Sequence, residues 1–338
     1  MKKLISILLT VCLTVIMIIP QTACTANRDP VTKESFYFDT TCKISIYDMK
    51  DMDEEKAKDV ISDAFQKCAD YEALLSKTKA GSDIYRINHA GGKPVKCDPL
   101  TVKIIKKGIY YGDLSGGKFD ITIGKAEDLW DFHSDKHHVP SEKSLKEAVR
   151  YVNYKQIHIH GNTVQMGTSK GEIDLGGIGK GYVGDLIAKY LKKRGVTSAI
   201  ISLGGNIICV GDKDGEDFVI GIEKPFSDMQ EVVGSTPCSN GTVVTSGIYE
   251  RYFKKNGKLY HHILDPKTGY PIDNDVSGVT ITASAGHSGD SDCLSTICLI
   301  LGTKKAKKFI EKQKGYEALF ITRSGKITKT KGMEFDKN

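Results

Sequence analysis

Apolar residues recur at helical spacing from Asp53 to Leu75, at Ala57, Ile61, Ala64, Phe65, Cys68 and Leu75, which predicts an amphipathic helix. Pro99–Tyr111 and Ser141–Val152 predict two more. Gly181–Arg194 predicts a helix stopped by Gly195, and Ser291–Leu301 one ended by Gly302. Phe36–Tyr47 alternates loosely and reads as a strand, as do Ser198–Leu203 and Val276–Ala283. Ile157-His158-Ile159-His160, then Gly161-Asn162, then Thr163–Met166 predicts a β-hairpin. His158 and His160 alternate with isoleucine there and are expected on its solvent face, away from any metal. Asn256-Gly257 predicts a second hairpin between Tyr249–Phe253 and Lys258–Ile263. Helices interleaved with hairpin-linked strands predict an α+β fold, a mixed or antiparallel sheet with packed helices. No Pro/Gly/Ser-rich linker follows residue 31, so one domain is expected over 36–338.

Ahead of these elements, Lys2-Lys3 precede an apolar run from Leu4 to Ile19 and a small-residue exit at Thr22-Ala23-Cys24. A basic start, an apolar core and a small-residue exit predict an export signal over 1–23. The run falls short of the roughly 20 residues that a membrane span needs. Thr25–Pro30 is polar, and 24–35 is expected as a tether. Cys24 sits where bacterial lipoproteins carry their lipid, although Gln21 stands where such signals usually have Leu. Two acyl chains on one cysteine suffice for a stable anchor, so the chain is expected as a lipoprotein on the outer face of the cell membrane. Cleavage after Ala26, giving a soluble exported product, is the alternative.

Composition adds little to this picture. The 338 residues are 40% hydrophobic and 27% charged, ordinary for a globular protein. Of the net charge of +6, Lys2 and Lys3 supply two, and the rest is too dilute to indicate nucleic acid. Lys304–Lys337 is lysine-rich but interrupted by Glu311, Glu317 and Glu334, and reads as a solvated helix face and tail. Setting aside Cys12 and Cys24, seven of the nine cysteines remain, without a C-x-x-C spacing. They are expected as small buried hydrophobes.

Four segments carry candidate chemistry. The first is Gly116-Gly117-Lys118-Phe119-Asp120-Ile121-Thr122-Ile123-Gly124, followed by Leu129-Trp130-Asp131-Phe132. The second, Asp174-Leu175-Gly176-Gly177-Ile178-Gly179-Lys180-Gly181-Tyr182, runs from a strand through a Gly-rich turn into a helix. Such a turn can bare backbone N–H groups to a phosphate, with Lys180 adding charge; alone it serves equally for tight packing. The third is Thr245-Ser246-Gly247-Ile248-Tyr249-Glu250-Arg251-Tyr252, then His261-His262-Ile263-Leu264-Asp265-Pro266-Lys267-Thr268-Gly269-Tyr270-Pro271. Adjacent strand residues face opposite sides, so one histidine at most enters a given site. In the fourth, Asp292 and Thr296 stand i and i+4 near a helix start. A carboxylate and a hydroxyl suit Mg²⁺, and a carboxylate there also simply complements the helix dipole.

Taken together and in this order, the four segments resemble the FAD:protein FMN transferase family, from about Phe36 to the C-terminus. The resemblance implies Mg²⁺-dependent cleavage of FAD, attachment of FMN through a phosphoester to Thr or Ser of a target protein, and release of AMP. It implies metal ligands at Asp292, Thr296 and a backbone carbonyl near Gly177. It implies FAD contacts at Lys118, Phe119, Asp120, Asp174 and Lys180, at Thr78 in the Ser76–Ser82 loop, and at Glu250, His262 and Ile263. Phe38 falls in a segment that usually begins Met-Gly-Thr and is a further implied contact. His262 matches the family histidine implicated in transfer and suits a general base.

Acceptors of the family carry a Ser/Thr-Gly/Ala-Ala-Thr motif after Asp-Gly. No such string occurs here, so the expected partner is a separate exported or membrane redox protein. An FAD pyrophosphatase yielding FMN and AMP, and a non-catalytic flavin-binding lipoprotein, would need the same pocket.

Lipidation is testable directly. Cys24→Ala is expected to move the protein from the membrane fraction to the medium or to leave it unprocessed. Unchanged membrane association with normal processing, followed by fractionation and mass spectrometry, would refute the anchor.

Overall fold

A computed structural model describes residues 29–132, 136–227 and 231–338. The export signal and Cys24 lie outside the described residues. The chain opens on an antiparallel pair, β1 (Val31–Tyr37) and β2 (Thr40–Met49), followed by the long helix α1 (Glu54–Leu75). Asp53 caps α1 by accepting the N–H of Glu55. Then come α2 (Asp83–His89), β3 (Val95–Lys96), α3 (Pro99–Leu114), α4 (Gly124–Trp130) and α5 (Glu142–Val149). The hairpin β4 (Ile157–His160) and β5 (Thr163–Met166) leads to α6 (Gly179–Lys193). A run of strands follows: β6 (Val196–Leu203), β7 (Asn206–Val210), β8 (Phe218–Glu223), β9 (Val232–Cys238), β10 (Gly241–Gly247), β11 (Tyr252–Lys255), β12 (Lys258–His261) and β13 (Val276–Ser284). The chain ends with α7 (Ser288–Leu301), α8 (Thr303–Ile310), β14 (Tyr316–Thr322), β15 (Ile327–Lys329) and β16 (Asp336–Lys337).

These elements build one α+β domain around an eight-stranded sheet in the order β1-β2-β6-β7-β10-β13-β14-β15, antiparallel throughout. Helices α1, α6 and α7 cover one face. A small sheet, β16-β9-β8, covers part of the other. Period-2 alternation sorts the two sides. Ile208 of β7 lies against Gly184 of α6, whereas Cys209 joins Phe218, Ile220 and Cys238 beneath the small sheet. All seven described cysteines are buried and unbridged. His158 and His160 lie exposed on their hairpin.

The structure corrects several expectations. Phe36–Tyr47 is not one strand. It turns at Phe38-Asp39, both at positive φ (55 and 56), the backbone that a two-residue hairpin with matching twist requires. Pairing begins at Val31, inside the segment expected as tether, because residues 31–37 find a complete register on β2. The lysine-rich C-terminal segment is solvated along α8 and over most of the tail 331–338, but not throughout. The short apolar run Ala318-Leu319-Phe320 is fully buried in β14, the seventh strand of the main sheet. Helix α7 starts at Ser288, ahead of the expected Ser291, so Asp292 belongs to its second turn and is buried rather than at the helix surface.

Helices α6 and α7 meet backbone to backbone. A methyl at Gly181 would stand 2.3 Å from the carbonyl oxygen of Ser288 and 2.9 Å from Cβ of Asp292. Neither atom is the end of a flexible side chain, so the helices themselves would have to part. Gly181→Ala is therefore expected to cost about 1–3 kcal/mol. Gly179→Ala, whose methyl would meet only Leu175 Cβ at 4.0 Å, should stay within about 0.5 kcal/mol. Urea unfolding of the two variants compares them, and equal losses would contradict the close-approach account.

Candidate active site

A cleft of about 1020 Å³ opens at the ends of the central strands. The residues singled out from the sequence converge on it: Phe38, Thr78, Lys118, Phe119, Asp120, Asp174, Gly177, Lys180, Glu250, His262, Ile263, Asp292 and Thr296 all line it.

One wall is the α6–α7 contact. Asp292 is 2% exposed, and its Oδ2 accepts the backbone N–H of Gly181 at 3.0 Å. Burial raises the pKa of Asp292 above the usual carboxylate value, opposed by the charge of Lys180, the Gly181 amide and a hydrogen bond from Asn206. Asn206 Oδ1 is itself buried without a partner. Thr296, one turn on, donates its hydroxyl to the Asp292 carbonyl at 3.3 Å. Gly177 lies opposite. A methyl there would meet the Phe119 ring at 2.9 Å and Thr296 Oγ1 at 3.6 Å, so only glycine leaves this corner open. Lys180 Nζ donates to the Gly176 carbonyl at 3.1 Å, beside the carboxylate.

The facing wall holds a knot of charge that sequence reasoning missed. Lys77 reaches Asp128 at 2.8 Å, Asp174 at 2.9 Å and Glu127 at 3.1 Å. Burial and then the charge of Asp174 raise the Glu127 pKa. Burial opposes the charge on Asp174 too, but Lys77, Glu127 and the Gly176 N–H outweigh it and lower its pKa. Glu127 and Asp128 stand between the two halves of the first motif, and Lys77 stands next to Thr78. Only the fold reveals that they face Asp174. Asp120 contributes shape: its two oxygens are taken by the Thr122 N–H and hydroxyl and by the Tyr154 N–H. Phe38 is held at the rim by its N–H, which donates to Glu72 at 2.6 Å.

The third wall is the segment after β12. His262 lines the cleft while His261, 1% exposed, points into the core, where its Nε2 donates to the Ile272 carbonyl at 3.1 Å. His262 Nδ1 lies 3.3 Å from the Arg251 carbonyl oxygen. A carbonyl only accepts, so Nδ1 carries the hydrogen and Nε2 keeps its lone pair. Burial, then Arg251 and His261, lower the His262 pKa from 6.5 to about 3. The ring is neutral at physiological pH. Glu250 accepts the Gly247 N–H at 2.7 Å, and desolvation raises its pKa. Behind this wall, Trp130 is fully buried, packs against Phe132, Phe253, Tyr260 and Tyr270, and donates its indole N–H to the Gly269 carbonyl at 2.7 Å. Gly269, at φ 70, closes the turn whose Asp265 lies 3.6 Å from Lys118 Nζ. The lone tryptophan thus fixes the segment that carries His262.

A model of the ApbE family matches residues 38–320. The FAD:protein FMN transferase of Treponema pallidum (strain Nichols) is 32% identical over 314 residues, 87% of this chain and 85% of its own length. That of Klebsiella pneumoniae (strain 342) is 34% identical over 269 residues, 79% of this chain and 83% of its own. Among solved structures, the ApbE protein of Thermotoga maritima superposes with a TM-score of 0.81 at 28% identity, over 89% of this chain and 97% of that one. The flavin transferase ApbE from Vibrio cholerae does so with a TM-score of 0.78 at 25% identity, over 90% and 97%.

The burial of Asp292 sets a stability test. A carboxyl whose folded pKa exceeds its unfolded value is favoured protonated, so its ionised form costs stability at neutral pH, a cost that shrinks as pH falls through the folded value and is gone below the unfolded one. Asp292→Asn keeps the shape and an acceptor for the Gly181 N–H. In metal-free buffer at pH 7 it is expected to melt no lower than the parent, the two converging as the pH drops towards the carboxylate range. A clear loss of melting temperature at pH 7 would refute this account of the carboxylate.

Proposed function

This chain belongs to the ApbE family and is an FAD:protein FMN transferase, and from that premise we propose that it moves FMN, with Mg²⁺, from FAD onto a Ser or Thr hydroxyl of an exported redox protein. The product is a phosphoester, and AMP leaves. What carries the proposal is a neutral imidazole of fixed tautomer in the same cleft as a buried carboxylate and a hydroxyl. The acceptor hydroxyl gives its proton to His262 Nε2 as its oxygen bonds to the FMN-side phosphorus. The bond from that phosphorus to the bridging oxygen breaks, and the pair of electrons departs with AMP.

The oxygens of Asp292, Thr296 and the Gly177 carbonyl suit a hard cation that keeps waters and substrate phosphates as its other ligands. Asp292, buried and disfavoured as an anion, gains most from a cation beside it. Bound there, Mg²⁺ would neutralise pyrophosphate charge. Lys118, Lys180 and Arg251 line the same cleft and serve the phosphates. Lys180 and Arg251 also depress the His262 pKa, so phosphates that pair with them strengthen His262 as a base. Phe119 and Ile263 supply apolar wall, and Glu127, Asp174 and Thr78 offer polar groups to the rest of the dinucleotide. A lipid on Cys24 would keep the enzyme at the outer membrane face, beside membrane-bound acceptors.

His262→Ala is expected to bind FAD with near-parental affinity in Mg²⁺ but to transfer FMN about 10²–10⁴-fold more slowly. His261→Ala should leave transfer at saturating FAD within a few fold and instead lower stability, because its ring fills core. With the His262 pKa near 3, the base is already deprotonated across the working range, so kcat/KM should show no acid limb from it between about pH 5 and 8. Fluorescence titration and mass spectrometry of a modified acceptor read these quantities. Equal transfer losses in the two variants, or an acid limb near 6.5 that His262→Ala abolishes, would reassign the residue or its role.

A further inference from the structure

Strand β8 is the outer strand of the small sheet, paired with β9 on one side and, among the described residues, with no strand on the other. Among the described residues, no hydrogen bond from outside the β8–β9 ladder reaches Phe218–Glu223. In an antiparallel pair, alternate residues turn their N–H and C=O away from the partner, so this edge presents a row of unpaired backbone groups. Proteins usually guard such edges with lysine, proline or a bulge. β8 reads Phe-Val-Ile-Gly-Ile-Glu, with Val219 73% exposed and neither lysine nor proline. Its register shift falls only at the Ile222–Glu223 end. An apolar, unguarded edge is a site for pairing with another chain.

The edge leads into the cleft. Gly221 and Glu223 line it together with Tyr249, Arg251 and His262. Just past β8, Phe226 is held at φ 61, a left-handed backbone that bulky residues rarely adopt. Its ring remains 39% exposed and meets Tyr252 edge-on at 5.2 Å and Tyr249 at 5.9 Å. Tyr252, 38% exposed, starts the β11–β12 hairpin, whose exposed Lys254 and Lys255 make no ion pair among the described residues. An aromatic ledge and a basic hairpin thus flank the end of an open strand edge, beside the transfer histidine.

We infer that the acceptor protein docks here, an extended acceptor segment adding to the free edge of β8 as a further strand, with apolar side chains on the Phe226–Tyr252 ledge and acidic ones near Lys254 and Lys255. The inference rests on the transfer function above. A polypeptide is the occupant because only another main chain satisfies a row of backbone donors and acceptors. A dinucleotide in the cleft can touch the ledge and the Gly221–Glu223 end of the edge, but it cannot pair along the whole row. A strand along β8 advances about 3.3 Å per residue and so brings a chosen hydroxyl to His262 while its neighbours stay outside.

The test uses the exported chain with a redox domain bearing an Asp-Gly-Ser-Gly-Ala-Thr segment as acceptor. Val219→Lys guards the edge, and Phe226→Ala and Tyr252→Ala remove the ledge; all three side chains are exposed, so the variants fold, as melting curves check. Each is expected to raise the acceptor KM at least about tenfold, with kcat within about twofold and the FAD dissociation constant unchanged. Hydrogen exchange across 218–223 should slow when acceptor is added. An unchanged acceptor KM, or exchange that ignores the acceptor, overturns the inference. Weaker FAD binding in the ledge variants makes the ledge a flavin seat and overturns it too. Exchange that slows with enzyme concentration alone assigns the edge to self-pairing and likewise overturns it. A parent chain that leaves the acceptor unmodified fails the transfer function itself and this inference with it, whereas edge variants impaired beside an active parent separate docking from chemistry.

Discussion

The approach of α6 to α7 is the constraint on which the rest of the cleft depends. Gly181 has no room for a side chain, and the closeness that excludes one also brings its N–H to the carboxylate of Asp292. That single contact does several things. It satisfies an orphan donor in the first turn of α6, gives a buried carboxylate a donor in place of the water it has lost, and holds Thr296 across from Gly177. Because α6 rests on β6 and β7 and α7 on β10 and β13, the helix pair is seated on the middle of the main sheet. The wall is therefore as rigid as the core beneath it.

The opposite problem, holding a loop still, is solved around Trp130. The segment after β12 has few backbone pairings of its own beyond the Asp265 turn and the bridge from Ile263 to Ile272. It is held instead by a satellite core of Trp130, Phe132, Leu145, Phe253 and Leu264. The indole N–H on the Gly269 carbonyl adds direction to what would otherwise be undirected packing. His262 thus inherits its position largely from residues behind the cleft, Trp130, Leu145 and Phe253, with Phe132 and Leu264 reaching through to its wall. The two histidines of the motif divide by strand parity, one into the core and one into the site.

Much of this was legible in the sequence where the signal was local. Helix periodicity placed α1 and α6 to within a residue or two, Asn256-Gly257 marked its hairpin, and the four motifs named the residues that line the cleft. What was not legible depended on long-range partners. The run β7–β10 has strands too short to stand out; β7, β9 and β10 exist because neighbours on both sides complete their ladders, and β8 because β9 does so on one side. Val31–Ser35 looks like a polar tether because β1 is an edge strand with one partially covered face. The burial of Asp292 was not legible near its predicted helix start, because nothing in its own stretch announces that Gly181, more than a hundred residues earlier, will cover it. Lys77, Glu127 and Asp128 likewise have no local pattern; their relation is a product of the fold.

Charge in the cleft is distributed in a way that favours one kind of ligand. On the acidic wall, Lys77 already balances part of three carboxylates, and the remaining proton is drawn to Glu127. Across from it, Asp292 and Glu250 are pushed towards their neutral forms by burial, and His262 is pushed towards its neutral form by burial and by Arg251. These shifts have opposite signs in acids and in the base, and so they share one meaning: this region resists isolated charge of either kind. A neutral pair of opposite charges escapes that resistance. A cation beside Asp292 and an anion beside Arg251 and Lys180 relieve the acid and the base together, so each makes room for the other. Cation and pyrophosphate are thus expected to enter this cleft cooperatively, and the basicity of His262 to rise as the anion pairs with Arg251 and Lys180.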